Sequence, residues 1–592
     1  MTQCQEGPRK RNAGAGCVLS RIRYPLADQS RLGLAFQIAN WFNNNRMVFN
    51  SITFLVFLVV VLLLYYRLGH RGQNLMLLLA SYVFYGWWDY RFLALLVFTT
   101  LFDYFCALWI ENETRAKRKR LLLASSMTVN LGVLCIFKYF DFFAQSLQNA
   151  FVPFGITLSF PMLHVVLPLG ISFYTFLSMS YTIDVYRREL KPTRNPIDFM
   201  LYVAFFPHLV AGPIVRASVL LPQCQKSRRI IPEEVANGIW LILMGYVKKV
   251  VIADRLAQVV NWGFSQGAPA FADANSWLVL YAFAFQIYGD FSGYSDIARG
   301  LAKLMGFELT ENFRAPYLVT NPSDFWRNWH ISLSTWLRDY LYVPLGGNRE
   351  GRLKTYRNLM TTMLLGGLWH GAGVAYVFWG LYHGALLACQ RAWNDFVGPQ
   401  LRRLRETRAK YSLALSAGNG RVMQAGLFYR RGLLAEGTPE VLWNQITADS
   451  TPSSRGVATA AHGAGTSAVR MPSPPALGSR FTRVLLAFLF FHMTCLGWLL
   501  FRAGSLPSKV SQLAFVREYL ASMMVLPHGI SPIFRGVFIL SAASLFFQSK
   551  FEAMNHFSRW PTRWQVVGVI FALGAILALG IFEGSQFIYF QF

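Results

Sequence analysis

Long apolar runs constrain this chain more than any other feature. "ITFLVFLVVVLLLYY" (Ile52–Tyr66), "LALLVFTTLFDYFCALWI" (Leu93–Ile110) and "VVGVIFALGAILALGIF" (Val566–Phe582) each approach the ~20 residues that cross a bilayer. In lipid a backbone has to satisfy its own polar groups, and a helix does so within one segment. About eleven to thirteen such segments can be marked, some short or interrupted enough to be re-entrant. Only 14% of the 592 residues are charged, against roughly a quarter in an ordinary soluble domain. The expected class is an all-α polytopic membrane protein.

The net charge of +27 raises the question of nucleic acid, and its distribution answers it. Basic residues come in bursts between apolar runs: Arg67–Arg71, Arg115–Arg120, Arg187–Arg194 and Lys226–Arg229, whereas Ala144 to His164 holds no Lys or Arg. Placing the bursts in the cytoplasm gives a self-consistent threading. The charge orients helices, and a multi-pass membrane protein is expected, in contact with lipid and with no nucleic-acid partner. The seven cysteines have no C-x-x-C spacing and read as small apolar fillers.

Four regions follow. Residues 1–46 are polar and basic with no signal-peptide pattern. They conflict with the charge rule, and "MVFNS" at Met47 offers an alternative start. Residues 47–397 form the expected core. From 398 to 479 the chain turns basic, then rich in Ala, Gly, Ser, Thr and Pro, an insertion whose second half lacks the apolar surface to order itself. Residues 480–592 supply the last spans. Within the core, Leu163 to Gly384 mixes Gly, Pro and polar groups into an apolar background. Irregular backbone survives at membrane depth only inside protein or beside a cavity, so this region reads as the wall of a tunnel or funnel.

Most of the ten histidines have plain explanations in loops, at segment ends or in packed cores; His208 is a weak candidate and His492 a hydrogen-bonded core residue. His330 ("FWRNWH") and His370 ("GGLWHG") differ, since an ionisable residue inside a membrane segment is by default a functional hypothesis. Apolar surroundings favour neutral imidazole, the form in which a general base has to start. His383 lies thirteen residues beyond His370, about 20 Å further along a continuous helix, and the two share a site only if the intervening glycines break that helix. It is kept as structural. Asp324 and Arg327 fall at i,i+3, where a local ion pair is the simpler reading; Asp339 is a candidate for orienting a histidine, and both aspartates are kept as candidates for substrate binding or tunnel lining. Trp329 and Trp369 precede the two histidines and are candidate lining residues.

No H-x4-D pair, D-x-D, G-x-S-x-G elbow or P-loop is present. "HIS" and "HGA" lack companion ligands at helical spacing, so no metal site is expected. The stretches "PLGISFYTF", "FFPHLVAGPIVR", "FSGYSDIARGLA", "DFWRNWHISLSTWLRDYLYVPLGGNR", "LLGGLWHGA" and the terminal "FIYFQF" together resemble the membrane-bound O-acyltransferase (MBOAT) family, and within it the branch that O-acetylates alginate. The resemblance covers roughly 47–395 and 480–592.

It implies a ring of helices around a thin waist, with His370 as the family's invariant histidine and His330 as a second active-site histidine, either relaying a proton or orienting the donor. It also implies transfer of an acetyl group from a cytoplasmic thioester, acetyl-CoA or another, with no tightly bound cofactor. The acceptor would be an exported polysaccharide, reached with the help of a periplasmic acetyltransferase or accessory proteins. Two departures, the 398–479 insertion and Leu177 where glutamine is common, leave the acceptor open. Competing readings are a D-alanyl or lipid O-acyltransferase of the same family, and a transporter or inert scaffold of an export complex.

Overall fold

The computed structural model describes residues 47–265, 276–404, 406–407, 480–506, 511–524, 532–550 and 555–582. The 1–46 extension, residues 408–479 of the insertion and the Phe587–Phe592 pattern lie outside the described residues. Every described element is helical. In chain order they are α1 (Ile52–Tyr65), α2 (His70–Asp89), α3 (Arg91–Asn112), α4 (Ala116–Leu134), α5 (Phe140–Phe151), α6 (Ile171–Tyr186), α7 (Pro196–Ala204), α8 (Phe206–Leu209), α9 (Ala217–Gln225) and α10 (Pro232–Tyr246). There follow α11 (Asp254–Ser265), α12 (Ser276–Leu304), α13 (Pro322–Asn328), α14 (Ile331–Leu337), α15 (Arg352–His370), α16 (Val374–Ala392), α17 (Arg480–Gly504), α18 (Gln512–Ser522), α19 (Pro532–Ser549) and α20 (Thr562–Leu579). Among the described residues five helices are long and apolar enough to cross a membrane: Arg91–Asn112, Ala116–Phe154, Pro232–Phe264, Phe481–Gly504 and Thr562–Leu579. The others are shorter or carry more polar residues, as the interrupted pattern of the central region suggests.

α12 is the axis of the bundle. Almost all of its side chains are buried, including Gln286, Asp290, Asp296 and Arg299. A helix buried all round normally carries only apolar residues, so these polar groups need partners. The π turn that follows α10, Val247–Ala253, carries two consecutive lysines that partner the aspartates, while Arg299 pairs with Asp296 and Glu311. Lys248 Nζ lies 2.6 Å from Asp296, and Lys249 Nζ lies 2.8 Å from Asp254 and 2.6 Å from Asp290. The two helices approach closely because both are notched: a Cβ on Gly293 would sit 2.7 Å from the Gly245 carbonyl. Small residues at such seams are how membrane helices pack.

The four basic bursts gather at one end. Arg228 bonds Tyr65 Oη at 2.8 Å, Asn74 Oδ1 at 2.8 Å and Gln73 Oε1 at 3.0 Å. Asn74 also donates to Asp198, Arg194 pairs with Glu111, and Arg118 with Glu113. The loops that the charge rule assigns to one side of the membrane are thus tied together on one side of the bundle.

Candidate active site

His370 is the last residue of α15, and its helix stops there because Gly371 is fully extended (φ −168°, ψ 157°) and Gly373 caps the next helix in the same conformation. α15 and α16 therefore form an antiparallel hairpin. Its two arms are seamed by glycine: a Cβ on Gly367 would lie 2.3 Å from the Tyr376 carbonyl, and one on Gly380 would lie 2.4 Å from that of Met363. The open ends carry Arg352, Lys354 and Arg391, and the tip is neutral. At the tip Gln512 of α18 accepts from the Ala375 amide at 3.0 Å. Arg352 to His370 spans roughly 28 Å at 1.5 Å per residue, which sets the imidazole that far from the basic open end of the hairpin.

This fold-back decides the case of His383. The glycines do break the helix, and both histidines pack on the same indole: ring centroids are 5.0 Å apart for His370 and Trp379, and 4.9 Å for Trp379 and His383. Trp369 sits on the other side of His370 at 5.0 Å, and Phe501 at 5.2 Å. His370 is left 5% exposed. The space that Gly371 leaves open is filled by the Tyr376 ring, to which a Cβ would come within 2.2 Å.

His330 joins this group through Trp369, whose ring lies 6.2 Å away. Phe291 of α12 meets it edge-on at 4.6 Å. Its backbone is left-handed (φ 43°, ψ 55°), a conformation that costs a non-glycine residue about 1–3 kcal/mol and clusters at functional sites. Asn312 holds that turn. Its carbonyl accepts from the Ile331 amide at 2.9 Å. Its side-chain Oδ1 accepts from the Ser332 hydroxyl at 2.6 Å and the Ser332 amide at 3.2 Å, and faces His330 Nδ1 at 3.4 Å. A backbone amide can only donate, so Oδ1 is the acceptor, and this contact assigns the Nδ1–H tautomer to His330. Nε2 then bears the basic lone pair. Replacing Asn312 with Ala will leave these buried donors without their acceptor, at about 1–3 kcal/mol. The expected result is a lower melting temperature for the purified protein together with weaker acyl transfer, both measurable on one preparation.

The remaining sequence candidates fall elsewhere. Trp329 is buried a layer behind, against Trp498 at 4.7 Å and Phe313 at 5.0 Å. Asp324 accepts from Asn321 at 2.6 Å and from Arg327 at 3.0 Å, the local pairing expected from i,i+3 spacing. Asp339 lies on a π turn, Arg338–Tyr342, and pairs with Arg216 and Arg338. Burial alone would raise its carboxyl, but the two guanidinium groups outweigh that and hold it below its ordinary value. His208 bonds the Tyr202 carbonyl at 3.1 Å, and His492, only partly buried, bonds Tyr281 Oη at 2.6 Å and the Phe488 carbonyl at 2.7 Å. Among the described residues no group of three His, Cys, Asp or Glu is arranged to hold a metal ion.

Comparison with known proteins bears on the family to which the chain belongs. The model of the membrane-bound O-acyltransferase family matches residues 125–411, a range holding His330, His370 and His383. A probable alginate O-acetylase of Pseudomonas putida is 48% identical over 356 residues, covering 60% of this chain and 73% of that protein. The chain belongs to the membrane-bound O-acyltransferase family. It is accordingly a multi-pass membrane O-acyltransferase. A peptidoglycan O-acetyltransferase of Helicobacter pylori is 38% identical over 380 residues, covering 59% of this chain and 71% of that protein. A teichoic acid D-alanyltransferase of Bacillus subtilis is 30% identical over 243 residues, covering 38% and 60%.

Two contributors to this site escaped sequence reasoning. Asn312 carries no signal beyond its type. Lys138, whose ammonium lies 2.6 Å from the Trp369 carbonyl, is an ionisable residue inside an apolar span, and that alone marks it.

Proposed function

We propose that the chain moves an acetyl group from a cytoplasmic thioester to a hydroxyl of an exported polysaccharide, with His370 as general base. The observation that carries the reading is the placing of two histidines on one indole, His370 at 5.0 Å and His330 at 6.2 Å from the Trp369 ring, behind an aromatic wall. His370 takes the proton of the acceptor hydroxyl as its oxygen attacks the thioester carbonyl. The C–S bond breaks, and the departing thiolate recovers that proton from the imidazolium. No net proton crosses the site. His330, with its lone pair on Nε2, fits a relay role or the orientation of the donor.

The charged end of the bundle supports a cytoplasmic donor side. There Arg187 and Arg216 flank the Tyr340 ring at 5.3 and 5.5 Å; both already meet Asp339, Arg187 at its carbonyl and Arg216 at its carboxylate, and a phosphate of acetyl-CoA or another phosphopantetheine-bearing thioester would exchange for that carboxylate. With that end in the cytoplasm of a bacterial inner membrane, the acceptor approaches from the opposite face, where periplasmic accessory proteins would complete the acetylation. The relatives' names favour glycans: alginate for one, peptidoglycan for another. Releasing the acyl groups from exported glycan with mild base and identifying them by mass tests this assignment. Acetate is expected; D-alanine would move the protein to the D-alanyl branch, and a long-chain acid to lipid acylation.

A further inference from the structure

The last turn of a helix leaves carbonyls without partners. At the end of α15 they include those of Leu368, Trp369 and His370, the residues that place the catalytic imidazole. All three are bonded from a single distant turn. Tyr139 Oη donates to the Leu368 carbonyl at 2.9 Å, and Lys138 Nζ donates to the carbonyls of Trp369 at 2.6 Å and His370 at 3.2 Å. Lys138 Nζ also reaches Ser172 Oγ, at the start of α6, at 3.3 Å. An ammonium has three protons, and these three bonds account for them.

The two donors sit on a π turn, Cys135–Tyr139, inserted between α4 and α5 within the span Ala116–Phe154. Such a turn interrupts the α ladder, re-aims the side chains it carries, and is frequent at functional sites. Here it directs two neighbouring residues at consecutive carbonyls more than 200 positions along the chain. A cation also suits the negative end of the helix dipole. The geometry points to Lys138 as the positioning residue of the active site: by clamping the end of α15 to α6 it holds His370 where the proton is taken. This rests on His370 being the base, but the clamp itself can be tested without activity.

Lys138→Met, Lys138→Arg and His370→Ala are compared in the full-length protein, at matched membrane levels, in cells lacking their own copy. Two readings are taken: ester-linked acetate on exported glycan, and amide hydrogen exchange in a peptide covering residues 366–373. With Lys138→Met we expect exchange there roughly 10- to 100-fold faster, unchanged exchange in α10 and α12, and acetate lower by roughly 10²-fold, the cost of displacing a reacting group by about 1 Å. Lys138→Arg, which keeps the charge and the donors, should recover most of both. Wild-type exchange in Lys138→Met overturns the clamp. So does loosening of the whole bundle, which would make Lys138 a general folding residue, and so does a Lys138→Arg variant as impaired as Lys138→Met. Faster local exchange with full acetate overturns the positioning role. Full acetate in His370→Ala instead removes the catalytic reading, whatever Lys138 does.

Discussion

Lys249→Met will strip the ammonium from between two carboxylates in the core of the bundle, and the protein will lose most of its folded yield. Lys249, Asp254 and Asp290 have side chains 9%, 1% and 3% exposed, so water cannot replace the missing ammonium. Removing one partner of a buried pair costs about 3–5 kcal/mol, because the charge left behind has neither solvent nor counter-ion. That is a large part of the 5–15 kcal/mol that holds a typical protein folded. The effect should reach the site as well, because Asp290 is next to Phe291, whose ring packs on His330. The check is thermal melting of the purified protein in detergent. Adding Asp254→Asn and Asp290→Asn to Lys249→Met should recover much of the loss, since a neutral cluster has no stranded charge. A single variant that melts like wild type would mean the pairs contribute nothing.

His370→Ala will lower acyl transfer by roughly 10²–10⁴-fold, the usual worth of a positioned general base, or about 3–5 kcal/mol of barrier. Folding should be nearly untouched. The ring lies among Trp369, Trp379 and Phe501, and its loss opens a small cavity at the tip of a hairpin whose seam is held by Gly367 and Gly380 further down. His370→Gln, which keeps much of the volume but has no basic nitrogen, should be as inactive as His370→Ala. Equal losses in the two variants separate chemistry from packing. Recovery with Gln would assign His370 a structural role.

The class and the position of His370 were legible because each rests on a local signal: apolar length for the spans, and a titratable group in an apolar run for the histidine. The charge bursts likewise gave the common end that Arg228–Asn74 and Arg194–Glu111 tie together. Legibility ended where distant segments meet. Whether Gly371 and Gly373 bend or break a helix depends on whether a second arm can pack against the first, and here Gly380 of α16 receives the Met363 carbonyl. The assignment of His383 away from the site was conditional on an unbroken helix, and that condition fails. The cap on α15 was invisible for a related reason. Lys138 and Trp369 are 231 positions apart, and no periodicity links a π turn in one span to carbonyls in another. Asp324 turned out as its spacing suggested, paired with the neighbouring Arg327.

The central claim is that this membrane protein transfers an acyl group through His370. The most direct measurement is ester-linked acetate on exported glycan, from cells lacking their own copy and supplied with wild type or His370→Ala at equal membrane level. The account predicts acetate with wild type and a loss of at least roughly 10²-fold with the variant. Equal acetate from both would contradict it, and would leave the protein as a scaffold or conduit for chemistry performed elsewhere.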